Sequence, residues 1–306
     1  MITFKVEITE YLENKCKNAK IESDMNLGAK HKPYWDNEKL FQLFKYTIYV
    51  LILGHVVYFM IEDYAASSHT YKDGISFTNI GDAFSASVDS IAWFVLLMIF
   101  ELETYALEDD QLSKKRKLML NVIAAVCYGF IIWAFLGYIE KSTMVYAFQA
   151  TSITDLCAIA NSELSLVLDL DDYVPLTLEN CGSVSGQLYY HTKTMMYVDQ
   201  TVYDEVSKLV LIDVVNAFTW IVVVVVLQIE VFLQLRGHLS SYMYKVNSFI
   251  KGVAYLILLL ACLYWGYMGD RVGFQDALLW LLAFIFIELN IFQWRREEDT
   301  DKEVVL

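Results

Sequence analysis

The chain has 306 residues, 57% of them hydrophobic, a net charge of −14 and a mean hydropathy of +0.39. A soluble domain is about 45–50% apolar, and the excess here falls in blocks of roughly 17–25 residues, the length that crosses a hydrocarbon core. An ordinary soluble fold is therefore excluded, and the lack of a basic tract argues against a nucleic-acid partner.

Residues 1–43 read as a polar, lysine-bearing cytoplasmic segment with no signal-peptide core, so the first span acts as an uncleaved insertion signal. Its first stretch, Ile2 to Asp24, lacks a clean apolar stripe and fits a loose tail as well as a surface contact. Hairpin 1 covers 44–105 and contains apolar segments Phe44–Ile61 and Val88–Tyr105. Hairpin 2 covers 118–235, with segments Leu118–Ile139 and Leu209–Leu235 around an extracytoplasmic loop at 140–207. Hairpin 3 covers 252–294, with segments Gly252–Met268 and Asp276–Trp294, and residues 295–306 form a cytoplasmic tail. Eighteen Lys and Arg residues lie on the side of the termini and five on the other. The positive-inside rule then places both termini in the cytoplasm.

The loop at 140–207 holds Cys157 and Cys181, the two cysteines on the oxidising side of this topology, which predicts a disulfide. It is also acidic. Its Asp169, Asp171 and Asp172 lack the Gly and Glu that complete an EF-hand, so the loop reads either as solvated surface or as a vestibule that concentrates cations.

The second, fourth and sixth segments align without gaps. They read Asp89-x3-Trp93-x7-Glu101-x-Glu103-x-Tyr105, Asn216-x3-Trp220-x7-Gln228-x-Glu230-x-Phe232 and Asp276-x3-Trp280-x7-Glu288-x-Asn290-x-Phe292. Agreement of rare intramembrane residue types at fixed spacing points to an internal repeat. At 100° per residue the Asp/Asn, the Trp and the last polar residue share one stripe, and the polar positions are separated by roughly 21 Å along the axis. The even helices thus carry two polar layers. The odd helices are almost wholly apolar and fit a lipid-facing role. The predicted fold is an all-α integral membrane protein of six transmembrane helices: three same-orientation hairpins with a pseudo-threefold internal repeat.

The even helices contain no Lys or Arg between these layers, so their acids are protonated, hydrated, bound to cations or close to interfacial water. One reading is a cation or proton pathway lined by Glu101, Glu103, Gln228, Glu230, Glu288 and Asn290, with Asp89, Asn216 and Asp276 at its mouth. The other is a non-catalytic subunit or scaffold in which the same residues are interhelical hydrogen-bond glue. The tryptophans serve as interface anchors or as core. Straight helices without Pro fit a channel or scaffold better than a carrier with broken helices. The three hairpins resemble mitochondrial carriers in architecture alone, because the Pro-led charged signature of that family has no counterpart here. His55 stands alone among apolar residues and reads as packed core rather than a haem ligand. No Ser-His-Asp, zinc or two-metal constellation is seen, so neither enzyme activity nor a cofactor is expected. The expected partners are the lipid bilayer, cations, and other membrane subunits or copies of the chain, in a plasma membrane or bacterial inner membrane.

Overall fold

The computed structural model describes residues 37–77, 79–102, 114–161, 163–235 and 241–304, with the side chains of the last helix described as far as Ile287. Most of the expected amino-terminal segment, 1–36, lies outside the described residues. The fold is mostly helical. Its long helices are α1 (Asn37–Thr70), α2 (Ser85–Glu101), α3 (Lys114–Tyr146), α4 (Gln200–Leu235), α5 (Ser241–Met268) and α6 (Arg271–Val304). Four of them are long and apolar enough to cross a membrane, over Leu40–Thr70, Leu118–Tyr146, Gln200–Glu230 and Tyr242–Met268. These spans embed the protein in a membrane. Val50 is 68% exposed and Phe249 72%, values that hydrocarbon tolerates and water does not.

Each helix packs on the next in the chain, and α1 packs on both α2 and α6, which closes a ring. The ring's core takes side chains from all six helices. Ile52, Trp93, Leu97, Ile131, Trp220, Val223, Leu258 and Phe284 meet there.

The boundaries differ from the sequence reading. Apolar runs stop where charge appears, but helices continue past that point. α1 runs on to Thr70 rather than ending at Ile61, and α4 begins at Gln200, nine residues before Leu209. Likewise α6 continues through 295–304, in place of a separate tail. The acidic loop at 140–207 contains a small sheet at one end of the helices. Its strands are β1 (Gln149–Thr151), β2 (Ser165–Val167), β3 (Tyr173–Pro175), β4 (Leu188–His191) and β5 (Met196–Asp199), in the order β1-β4-β5-β2-β3. Central β5 pairs antiparallel with β4 and parallel with β2. One side of this layer packs on the helix ends through Phe148, Val167, Val198, Val210 and Trp265. The other closes over Leu156, Leu166, Leu176 and Cys181. The predicted Cys157–Cys181 disulfide is present in this second cluster, with Cα atoms 5.0 Å apart.

Candidate functional site

Two helix starts set the site. Asp63 of α1 is 5% exposed. It accepts hydrogen bonds from the Ser87 amide at 2.9 Å and the Ser87 hydroxyl at 2.6 Å. A carboxylate at this helix N-terminus satisfies an orphan amide and complements the dipole. This pins α2 to α1 two residues before Asp89. The α5–α6 connection is equally tight. Gly269 has φ +93° and the Asp270 amide bonds the Trp265 carbonyl at 3.0 Å, the Schellman arrangement in which glycine carries the left-handed residue. Asp270 then caps α6, its Oδ1 accepting from the Gly273 amide at 2.8 Å. Burial raises the Asp270 carboxyl above its usual range, opposed by that amide. The cap fixes the start of the helix that carries Asp276 and Trp280.

These elements surround a cavity of about 580 Å³ at the sheet end of the ring. Asp89, Asn216 and Asp276 line it, as do Trp93, Trp220 and Trp280. The polar and aromatic positions of the three aligned motifs therefore meet in one space. Each tryptophan is one turn, about 6 Å, deeper than its polar partner. Trp93 is 9% exposed, and Trp220 and Trp280 are 7%. They are core residues rather than interface anchors. With Phe284 they form an aromatic floor: Trp93 and Trp220 centroids lie 6.3 Å apart, Trp93 and Phe284 6.0 Å, and Trp220 and Phe284 4.5 Å.

The remaining wall is acidic. Glu62, Asp213 and Asp270 come from the helices and their connections, and Asp169, Asp171 and Asp172 come from the β2–β3 turn that reaches down from the sheet. Among the described residues, eight carboxylates thus face two cations, Lys141 and Arg271. Lys141 pairs with Asp171, which ties the turn to α3. His55, expected to be a packed core residue, places Nδ1 3.2 Å from Asp276 Oδ1.

The second polar layer is built differently from the sequence reading. Glu101 receives Lys45 Nζ at 2.6 Å, with Tyr46 and Tyr49 hydroxyls at 2.9 and 3.4 Å. Glu230 receives Lys251 Nζ at 2.9 Å and the Asn247 amide at 3.0 Å. The Gln228 amide donates to the Tyr128 hydroxyl at 3.2 Å. The two described acids of this layer, Glu101 and Glu230, have basic partners, supplied by the odd helices α1 and α5. Those helices, expected to be almost wholly apolar and lipid-facing, also turn a lysine toward the even helices. Lys45 is 1% exposed. A lysine one or two turns inside a helix end can lay its stem along apolar neighbours and deliver its ammonium to a buried carboxylate. Glu103 lies outside the described residues, as do the side chains of Glu288 and Asn290.

Leu97, Val223, Leu227, Ala283 and Phe284 form an apolar belt between the two layers. Of the expected site residues, the structure brings Asp89, Asn216 and Asp276 together at the cavity, and sets Glu101, Gln228 and Glu230 apart from them beyond the belt. Compared with protein-family models, curated proteins and solved structures, the chain finds no match.

Proposed function

We propose that this chain is a six-span membrane protein that admits cations from the sheet side into an acidic vestibule and passes them along the axis of the helix ring. In this reading α1–α6 form three same-orientation hairpins about a pseudo-threefold axis, and both termini are cytoplasmic. The lipid bilayer is the surrounding partner. The single observation that carries the proposal is the convergence of Asp89-x3-Trp93, Asn216-x3-Trp220 and Asp276-x3-Trp280 on one cavity. A low-dielectric cleft lined by an excess of one charge focuses its field and concentrates counter-ions. Acid rings of this kind select cations. In this reading the packed belt around Leu97 and Val223 parts to let the cation through. Straight helices that tilt against one another supply that movement without a break in any helix.

A second reading has its own observation. Lys45–Glu101 and Lys251–Glu230 pair the inner acids with lysines, which favours a scaffold whose polar residues hold helices together. Cation flux into reconstituted liposomes separates the two. The transport reading predicts wild-type flux above protein-free vesicles and a loss of that flux in Asp89→Asn/Asp276→Asn. Equal leak in both proteins and in empty vesicles assigns the chain to the scaffold class.

A further inference from the structure

We infer that the cation taken by this vestibule is an organic ammonium ion rather than a metal ion, an inference that rests on the cation-binding reading above. Three observations carry it. The first is size. A space of about 580 Å³ falls within the roughly 300–1,000 Å³ of small-molecule sites, far more than one bare ion fills. The second is the spacing of the acids. Among the described residues no three His, Cys, Asp or Glu side chains stand close enough together to hold a metal ion. The carboxylates are spread round the wall, where they attract charge without converging on a point.

The third is what lies beneath them. Trp93, Trp220, Trp280 and Phe284 meet below Asp89 and Asp276, and Trp265 adds a further indole to the wall. An ammonium centre within about 6 Å of an aromatic centroid is drawn to the ring's negative face. The step from carboxylate to indole is one helical turn, about 6 Å, so a centre between the layers contacts both. A small inorganic cation keeps its water and gains little from an indole wall. An ammonium with carbon substituents buries those substituents on the rings and presents its charge to Asp89 and Asp276. The floor thus selects for the apolar part of the ligand and the rim for its charge.

The test uses full-length protein in nanodiscs, with binding read by tryptophan fluorescence and checked by calorimetry. Choline is the probe. Its neutral isostere 3,3-dimethylbutan-1-ol, and Na⁺, K⁺ and Ca²⁺ as chlorides, are the comparisons. Choline is expected to bind at least tenfold more tightly than the isostere. Trp280→Leu is expected to weaken choline about thirtyfold, in keeping with one desolvated cation–π contact. Trp280→Phe, which keeps an aromatic face, is expected to recover part of that loss. Choline binding no tighter than the isostere, or unchanged in Trp280→Leu, overturns the inference. If Na⁺, K⁺ or Ca²⁺ binds and choline does not, and Asp89→Asn/Asp276→Asn abolishes the signal, the ammonium assignment fails while cation binding stands. If no cation binds, both fail together.

Discussion

Replacing Lys45 tests the inner polar layer most sharply. Lys45 Nζ lies 2.6 Å from Glu101 Oε1, with the two side chains 2% and 11% exposed. Removing one partner of a buried pair costs about 3–5 kcal/mol, because the other charge stays in a poor environment. Lys45→Met leaves Glu101 with the hydroxyls of Tyr46 and Tyr49, and hydrogen bonds to a charged group contribute about 1.5–3 kcal/mol each. That places the lysine variant at the low end, about 3 kcal/mol. Glu101→Leu takes the carboxylate from a lysine whose side chain is 2% exposed, with the Tyr46 ring 4.8 Å from its Nζ, and costs about 3–5 kcal/mol. Lys45→Met/Glu101→Leu removes both charges and is expected to be more stable than either single variant, since an apolar replacement of a buried pair is often neutral or better. Thermal unfolding in detergent reads this through the buried thiols of Cys127 and Cys262, in a Cys16→Ser background. At about 2–4 °C per kcal/mol, each single variant lowers the midpoint by at least about 6 °C. Midpoints within about 2 °C of wild type, the shift from a single kcal/mol, refute the pair as a coupled, buried unit. So does a double variant whose loss is the sum of the singles.

Three further outcomes follow from other parts of the fold. Asp270→Ala removes the cap on α6 and is expected to cost about 1 kcal/mol, with Asp270→Asn close to wild type, in the same unfolding assay. His191 accepts the Thr194 amide at 3.3 Å and stacks on Phe148 at 5.3 Å. Burial, then Lys193, lowers its pKa below the ordinary value of 6.5. The folded state then binds fewer protons than the unfolded one. His191's contribution is fully present above pH 6.5 and falls as the pH drops from there toward the lower folded value. Limited proteolysis of the sheet should accelerate as the pH is taken from about 7.5 to about 5, and His191→Gln should flatten that dependence. Cys157→Ser/Cys181→Ser opens a closure of 24 residues worth about 3 kcal/mol in the chain-entropy model. Hydrogen exchange should rise in β2 and β5, while the helix amides near Val223 keep their protection.

The helices were legible because an apolar run long enough to cross a bilayer is rarely anything but a span. Each of the six apolar segments lies wholly or mainly in one of the long helices, four of which meet the length and hydropathy of a span. The disulfide was legible because topology left Cys157 only Cys181 as a partner. The Asp/Asn-x3-Trp spacing pointed to residues that do meet at the cavity. The sheet was hidden by its scale. Strands of three or four residues, such as Ser165–Val167 and Tyr173–Pro175, are too short to establish alternation. Their signal was the run of β-branched and aromatic residues between turn formers, as in Tyr173-Val174-Pro175 and Met196-Tyr197-Val198. The lysine partners were missed for a different reason. Lys45 and Lys251 stand at the cytoplasmic edges of their apolar segments and counted there as orienting charges, when their ammonium groups reach the carboxylates of Glu101 and Glu230. Asp63 was missed because it acts on another helix: its value lies in the Ser87 amide of α2, and no spacing along α1 reveals that.

The central claim is a cation-attracting vestibule that ends at an aromatic floor. Its most direct test is the rate at which charged methanethiosulfonates label Asn216→Cys in a chain whose Cys16, Cys127 and Cys262 have been replaced. Asn216 lines the cavity, while Leu97 lies in the apolar belt. The account predicts that a trimethylammonium reagent labels Asn216→Cys at least about tenfold faster than a sulfonate reagent of similar size, as field focusing in a charged cleft allows. It also predicts that Leu97→Cys resists both. Equal rates at Asn216→Cys, a faster sulfonate, or ready labelling of Leu97→Cys would contradict it.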